Sequence, residues 1–549
     1  MAGSRAPSSA SLAASRLAAV VPFDRMQRQA AAAQAGLRAS ATEIQGTRWR
    51  GASRTLRSLQ NWIAPVGSAT SDLPASEQRT LRARSRDASR NHMPARAALM
   101  RCRTSIVGTG LVCRPSVDHE ALGITAAEAA VYNAQLRMGW ERYAENPLEC
   151  DYEGTFDIYG LQGLALLSAM SSGDVFAITP MHRRPGGVSE LKLQLVEADR
   201  ISNPNDAADT PSCIDGIQFQ DGMAVGCWVR STHPGDRIDA RMPSWRYYPA
   251  FGEQTGRRRV IQVWNDKERP GQVRGVPFLA PVLEPLKQLE RFSGAELMAA
   301  VLSAMLTVFI ERDAETETDE HGNPVPVFAG ADPEGGGAIA LGNGAIVDLA
   351  PGEKAKEVNP SRPNANFDPF FLAILKQIGA ALELPLDVLL LQFNTSYSAA
   401  RAAMLEAWRM FLCRRWMLTT QFCQPVYGLW LDEEVASGRI HLPGYGDPAR
   451  RHAWSRSLWI GPAKGSMDEE KEARAAKLRI ENGTSNEAME TAASSGEDWS
   501  TVYGQRLREI RQRQADGIYI PPNNPSPAKP SPAQESPGGA SPDNEGGNA

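Results

Sequence analysis

The sequence predicts an α+β fold class, and three observations carry that prediction. From about 105 to 265, short β-like runs alternate with turn signals, the pattern of a mostly antiparallel sheet. Helical stretches at 125–146 and 160–171 interrupt those runs, so both element types share one region. From 281 onward the order becomes helix, small β insertion, helix, loop, long helix, which is unusual for an enzyme core. The 549 residues are 42% hydrophobic and 22% charged, ample material for folded cores. A usual domain of roughly 150 residues suggests three to four such units.

In chain order, residues 1–103 hold seventeen arginines, no lysine and five acids (Asp24, Glu43, Asp72, Glu77, Asp87). That surplus of +12 is hidden in a formal charge of -4, so the remaining chain carries -16. The overall near-balance excludes a dominantly basic nucleic-acid coat. The first 50 residues read as a flexible basic arm, as an arm touching phosphate or an acidic neighbour, or as an organelle transit peptide. The apolar segment Leu17–Phe23 is too short to support a secretory signal.

The β-like runs are 175–179 (VFAIT), 191–196 (LKLQLV), 216–219 (GIQF), 224–229 (AVGCWV) and 259–264 (RVIQVW). A helix is expected from Pro281 to Glu311. On it Ser293, Glu296, Ala300, Ser303 and Thr307 form a small-or-polar stripe, while Leu297, Val301, Met305 and Val308 lie on other faces. Such a stripe suits close packing against copies of the chain, or an ordinary core helix of a monomer. The apolar stretch Leu297–Ile310 is fourteen residues, too short to span a hydrocarbon core of roughly 30 Å, so it reads as a buried or inter-subunit helix. Six acids follow within 311–320 (ERDAETETDE), then Gly/Pro-rich short strands through 353. Helix resumes at 367–384, breaks at Pro385, and returns from Ser398 to about Ala436. Ser466/Glu469, Thr484/Glu487 and Ser494/Glu497 have the spacing of capping boxes, with Asn482-Gly483 and Gly517 as stops, and predict three successive helices. The last residues hold eight prolines from 521 on and should be disordered. No long internal repeat is visible.

Chemistry is mostly absent. There is no GxxxxGK[ST] phosphate loop, no GxSxG elbow, no HExxH and no calcium loop. The seven cysteines are scattered, without a CxxC pair or a histidine at ligand spacing, which argues against zinc and against a disulfide framework and fits synthesis in a reducing compartment. Asp432-Glu433-Glu434 reads as a solvated helix end. The clusters Arg82/Arg84/Arg86/Arg90 and Arg257-Arg258-Arg259 are candidates to meet phosphate, though no aromatics interleave them. No catalytic residue, cofactor or metal is expected.

One segment orders these blocks. Residues 198–206 (ADRISNPND) resemble the RISNPN segment of the portal proteins of lambda-like tailed phages. In the family's order come 81–91 (LRARSRDASRN) with 106–110 (IVGTG), 260–264 (VIQVW) with 269–275 (RPGQVRG), 382–385 (LELP) with 396–401 (SYSAAR), and 494–499 (SSGEDW). The resemblance covers roughly 50 to 517; neither tail shares in it. It implies a phage portal fold with wing, stem, clip and crown regions, assembling into a cyclic ring, a homododecamer in the mature particle. Its partners would be double-stranded DNA without sequence preference, the terminase large subunit, head-tail connector proteins, and the major capsid and scaffold proteins, with no membrane. It would sit at the virion's portal vertex after assembly in the host bacterial cytoplasm.

On this plan the basic arm is 1–50, the α+β wing 51–280, the stem helices 281–311 and 367–384, and the clip insertion 312–366. The tunnel loop is 385–397, the long kinked helix with a return to the wing 398–465, the helical crown 466–517, and the tail 518–549. A channel through which DNA slides is served by a balanced wall, since each neutralised phosphate adds a salt-dependent brake. Gln392, Asn394, Thr395, Ser396 and Tyr397 are therefore expected near DNA, with Arg401 beside them, although Asn394–Ser398 also reads as a simple turn that caps the next helix. Glu311, Asp313, Glu315, Glu317, Asp319 and Glu320 are expected to face motor and connectors. The alternatives are an unrecognised hydrolase or transferase, and a DNA-binding regulator using the C-terminal helices.

Overall fold

The computed structural model describes residues 50–518 apart from 54–55, 60, 65–66, 237–241, 306–308, 313–315, 319, 323, 327–352, 357–365, 393–395 and 466–467. All but the innermost residue of the basic arm and of the C-terminal tail lie outside the described residues. The chain divides into residues 1–72 and 73–549. In the first unit, short turns are closed by backbone bonds such as Leu59 N–H to Leu56 O at 2.8 Å, and the Ser68 hydroxyl accepts from Ser71 N–H.

The second unit opens with α1 (Ala75–Asn91) and α2 (Met93–Ile106), the latter with Pro94 in its first turn, where no amide hydrogen is needed. Strand β1 (Val112–Pro115) precedes α3 (Ala126–Ala144), which starts on a complete capping box between Thr125 and Glu128. Helix α4 (Ile158–Ser172) is capped by the Asp157 carboxylate and stops at Gly173.

Strand β2 (Asp174–Ile178) follows at once and is buried at all five positions. It pairs antiparallel with β3 (Gln194–Glu197) on one side and, after β4 (Cys213–Ile214), β5 (Ile217–Gln220), β6 (Met223–Arg230) and β7 (Trp245–Pro249), with β8 (Val260–Trp264) on the other. Strands β4 to β7 form a second, antiparallel meander. Alternation splits β2 between two cores: Val175 and Ala177 join the main one, Phe176 and Ile178 a smaller one with Val196, Ile201, Ile217 and Val229.

Helix α5 (Leu283–Met305) comes next, followed by β9 (Phe309–Arg312), β10 (Thr316–Thr318), β11 (Pro324–Pro326) and β12 (Glu353–Lys356), in which β9 pairs with β12 and β10 with β11. The sequence assigns helix as far as Glu311; instead helix ends at Met305 and residues 309–312 are strand, because the run Val308-Phe-Ile310 is aromatic and β-branched. At the start of the apolar stretch, Leu297 is 68%, Met298 59% and Val301 45% exposed in the protomer.

Helix α6 (Phe367–Ala381) leans on α5 through a stacked Phe292–Phe367 pair with ring centroids 5.4 Å apart. It ends four residues before Pro385, on a turn in which Glu383 takes φ 56° and Leu384 N–H reaches Gly379 O. A short α7 (Leu386–Leu390) leads to α8 (Tyr397–Leu418), joined through a widened turn at Thr419–Cys423 to α9 (Gln424–Ala436). Pro425 explains the widening: it lacks an amide hydrogen and its ring crowds the carbonyl four residues back.

The main core closes where α3 crosses α9. Trp140 packs edge-on against Trp430 at 5.4 Å and Tyr427 at 5.3 Å, and a Cβ on Gly139 would come within 3.1 Å of the Trp430 ring. Helix α10 (Pro448–Trp454) and β13 (Ser457–Ile460) bring the chain back to pair with β1.

Three helices then follow as expected, α11 (Glu469–Glu481), α12 (Glu487–Ser494) and α13 (Trp499–Ala515), but not on the expected caps. Asp468, Asn486 and Asp498 cap them, accepting from Lys471, Met489 and Ser500 N–H. Thr484 instead donates its hydroxyl back to Arg479 O, and Ser494 belongs to the last turn of α12; Ser466 is outside the described residues.

Candidate functional site

The expected tunnel loop, 385–397, is in its first part the short helix α7 (Leu386–Leu390); at Leu391 a φ of 55° turns the chain out of that helix. Gln392 is exposed, and Asn394 and Thr395 lie outside the described residues. Ser396 is the N-cap of α8, its hydroxyl accepting from Ala399 N–H at 3.4 Å, and Tyr397 is half exposed. The simple capping role is therefore real at Ser396.

Arg401 turns toward α11, with Nη2 4.0 Å from Glu472 Oε1; Lys464 Nζ lies 3.8 Å from the same oxygen. Lys471 pairs with Asp468 at 2.7 Å. The Lys471 hydrogen bond and the Lys471 N–H, with smaller help from Arg401, hold the Asp468 carboxyl below its usual range. Three cations and two carboxylates thus share one exposed surface beside the loop, a nearly balanced wall. Lys464, Lys471 and Glu472 carry no motif that marks them in the sequence; only the fold brings α11 to the start of α8.

The acids of the expected clip are only partly described. Glu311 sits opposite Lys354 in the β9–β12 register and Glu317 opposite Val325 in β10–β11. Glu320 lies in an exposed turn. Asp313, Glu315 and Asp319 lie outside the described residues.

The arginine cluster on α1 does not meet phosphate as a unit. Arg82 is buried: Nε donates to Ser172 O at 3.1 Å, and Nη2 lies 3.5 Å from Asp174. Arg86 is held by the Ser172 hydroxyl and the Asp199 carboxylate; Arg84 and Arg90 remain exposed.

The centre of that network is Arg274, which sequence reasoning passed over. Its guanidinium bonds Asp174 through two nitrogens at 2.8 and 3.1 Å and Asp215 at 2.9 Å, and it donates to the carbonyls of Ala198, Ile201 and Asp215. Burial pushes the Asp174 carboxyl up, but Arg274, Arg82 and the Gly275 N–H outweigh it and hold the group below its ordinary value. Burial and the neighbouring Arg274 bring Arg82 down to about 10, with Asp174, Asp215 and Asp199 opposing. Gly275 and Gly173 touch backbone to backbone, for a Cβ on Gly275 would fall 1.9 Å from Gly173 O.

Three of the segments that carry the portal resemblance, 81–91, 198–206 and 269–275, therefore converge on one buried ion network. In the second of them Asn203 accepts from Gly216 N–H at 2.7 Å and donates to Ala207 O, while Ser202 receives the Trp245 indole N–H at 2.9 Å. This is a frame joining the two sheets to α1 and α4, not a reactive centre.

An open cleft of about 590 Å³ lies between α6, α7 and α8, lined by Lys376, Gly379, Glu383, Leu384, Arg409 and Cys413 among others. Its lining combines one thiol, Cys413, with Lys376, Glu383, Glu406 and Arg409, and no histidine. Among the described residues no group of three His, Cys, Asp or Glu side chains is placed to hold a metal ion, and no helix is long and apolar enough to cross a membrane.

Residues 55–415, more than half of the chain, match the family model described as phage portal protein, lambda family. Portal protein B of Escherichia phage lambda is 27% identical over 492 residues, covering 84% of this chain and 89% of the relative. The portal protein of Escherichia phage N15 matches with the same identity and coverage. A probable portal protein of Halomonas phage phiHAP-1 is 23% identical over 478 residues, covering 85% of this chain and 87% of its own length. Among solved structures, a chain from the neck of a native gene transfer agent particle, computed with C12 symmetry, aligns with a TM-score of 0.39 and 12% identity over 74% of this chain and 92% of its own. The chain belongs to the lambda family of phage portal proteins.

Proposed function

We propose that this chain is the subunit of a homododecameric ring at one vertex of a phage capsid, through which double-stranded DNA is packaged by a terminase motor and later ejected. Head-tail connectors attach to the same ring, which is assembled in the host bacterial cytoplasm with capsid and scaffold proteins. The role is structural and conducting, without a catalytic step.

The observation that carries the reading beyond family membership is the face of α5 bearing Leu297, Met298 and Val301. A monomer gains nothing from three large apolar side chains exposed at heptad-like spacing, whereas a ring of copies covers them. On this reading residues 51–280 form the wing, α5 and α6 the stem, 312–366 the clip, 385–397 the tunnel loop, α8 and α9 the long kinked helix, and 466–517 the crown. Gln392, Asn394, Thr395, Ser396 and Tyr397 then lie near DNA with Arg401 behind them, and the acids from Glu311 to Glu320 face motor and connectors.

The test is light-scattering mass with imaging of the purified chain. Twelve copies of 59.6 kDa weigh about 715 kDa. A ring of that mass with an open channel supports the proposal; a monomer at every salt and protein concentration, with and without scaffold, opposes it. Deleting 392–397 should leave the ring intact and impair packaging or retention of DNA. Replacing the acids of 311–320 by Ala should weaken terminase binding without unfolding the chain.

A further inference from the structure

Charge is distributed differently on the C-terminal helices than their composition implies. On α11 the cations are matched within the helix or to its neighbour: Lys471 with Asp468, Arg474 with Glu470 at 3.1 Å, Lys477 with Glu481 at 3.7 Å, and Arg479 with Glu490 of α12 at 2.6 Å. On α13 they are not. Arg506, Arg508, Arg511 and Arg513 are all exposed, as are the acids Glu509 and Asp516 on the same half; among the described residues none of the four arginines makes an ion pair, and Arg508 bonds only Gln505, at 2.7 Å.

The helix is fixed at one end and free at the other. Asp498, its cap, is 8% exposed and bonds Arg114 at 3.2 Å, with Arg137 at 3.9 Å. Arg137 also donates to Thr501 at 3.1 Å, and the Trp499 indole reaches Glu487 at 3.0 Å. Every residue from 511 to 518 is exposed. Seventeen residues at about 1.5 Å each make a rod of about 25 Å whose far half touches little of its own protomer.

Arginine in a last helical turn can simply complement the helix dipole. That accounts for Arg513, not for Arg506, Arg508 and Arg511, which lie further back. The four fall on opposite sides of the helix, Arg506 with Arg513 and Arg508 with Arg511, so a flat protein face would engage only one pair. A polyanion lying along the helix still feels both pairs, because the helix with its side chains is about 10–12 Å across, comparable to the Debye length of about 10 Å at 0.1 M salt. No aromatic side chain lies between Gly504 and Ala515, and Trp499 and Tyr503 stack on each other at 4.8 Å, so nothing here is placed to stack on bases.

We propose that the free half of α13 is a second, sequence-indifferent contact for the phosphate backbone of duplex DNA, separate from the 392–401 loop. The proposal rests on the reading of this chain as a DNA portal but not on the loop assignment.

The test is fluorescence anisotropy of a labelled duplex with the full-length protein across about 50–200 mM salt. The wild-type affinity should fall steeply with salt. Each phosphate contact contributes about 0.9 to the slope of log K against log salt, so R506Q/R508Q should flatten it by about 1.8, and R506K/R508K should restore it. A parallel variant with Gln392, Ser396 and Tyr397 replaced by Ala separates the two readings: if it leaves the slope unchanged while R506Q/R508Q lowers it, the loop assignment fails and the α13 contact stands. An R506Q/R508Q slope equal to wild type, with assembly mass unchanged, overturns the proposal. So does a wild-type protein that binds poly-glutamate but not duplex, which would assign α13 to an acidic protein partner.

Discussion

Arg274→Ala should unfold the frame that joins the two sheets, and the structure sets the size of the effect. The guanidinium is 3% exposed, Asp174 is fully buried, and the two share a two-point bond that a methyl group cannot replace. Removing one partner of a buried pair costs about 3–5 kcal/mol, because the other charge is left in low dielectric. Asp215 and the Ile201 and Asp215 carbonyls lose their donor as well, adding about 1 kcal/mol for each acceptor left without one. Arg82, 3.5 Å from Asp174, recovers only part. These terms come to about 6–8 kcal/mol, and with Arg82's partial recovery a loss of about 5–7 kcal/mol follows, a large share of the roughly 5–15 kcal/mol that holds a domain together.

Calorimetry should show the corresponding transition falling by about 10 °C or more, and hydrogen exchange should rise together in β2, residues 198–203 and residues 269–275. The pH dependence has a definite sign. Asp174 is held below its unfolded value, so its contribution is present above about pH 4 and lost as pH falls through the depressed folded value. Without Arg274 that depression shrinks, and acid unfolding should begin at higher pH. A variant that melts within about 3 °C of wild type, with an unmoved acid limb, would show that the network is incidental.

Gly275→Ala should cost about 3 kcal/mol, because the new Cβ meets the Gly173 carbonyl and neither backbone can yield; unchanged stability by denaturant titration would refute that contact. Glu383→Gly should stabilise by about 1 kcal/mol, since a residue at φ 56° pays for a left-handed turn that glycine enters freely, and a lowered melting temperature would contradict it. Leu297→Asp with Val301→Asp should leave circular dichroism and protomer melting unchanged while the assembly mass falls; an unaltered mass would remove this stripe from any subunit contact.

How far the chain could be read in advance depended on whether each signal was local. The strand at 174–178 and the helices at 126–144 and 158–172 were legible to within one or two residues, because each has its own apolar period and its own punctuation, such as Thr125 with Glu128 or Asp157 with Gly173. The caps of the last three helices were misplaced because several polar residues compete at each start. Thr484 satisfies the spacing of a capping box with Glu487, but its hydroxyl is already committed to closing the preceding turn on Arg479 O, which leaves Asn486 to begin the helix. The end of α5 was misread for the opposite reason: the apolar run continues, but its residue types change from leucine, alanine and methionine to valine, phenylalanine and isoleucine, and composition rather than hydrophobicity ends the helix.

The candidate site was less legible than the fold, and the physical reason bears on what a resemblance can report. Arg82, Asp199 and Arg274 are far apart in sequence and each sits among other charged or polar residues, so nothing local separates a buried arginine from one that meets phosphate. Their neighbours do separate them. Arg274 precedes a glycine that cannot carry a side chain, and Asp199 sits in a short 3-10 turn, Ala198–Arg200, whose first carbonyl accepts from both arginines. A buried charge tolerates few replacements, because every substitution strands its partners. An exposed charge cluster such as Arg401, Lys464, Lys471, Asp468 and Glu472 needs only an approximate balance of charge, and many residue combinations provide it. Segments such as RISNPN and RPGQVRG therefore report the buried frame, while surface contacts have to be sought from exposure and unpaired charge, the basis of the proposal for α13.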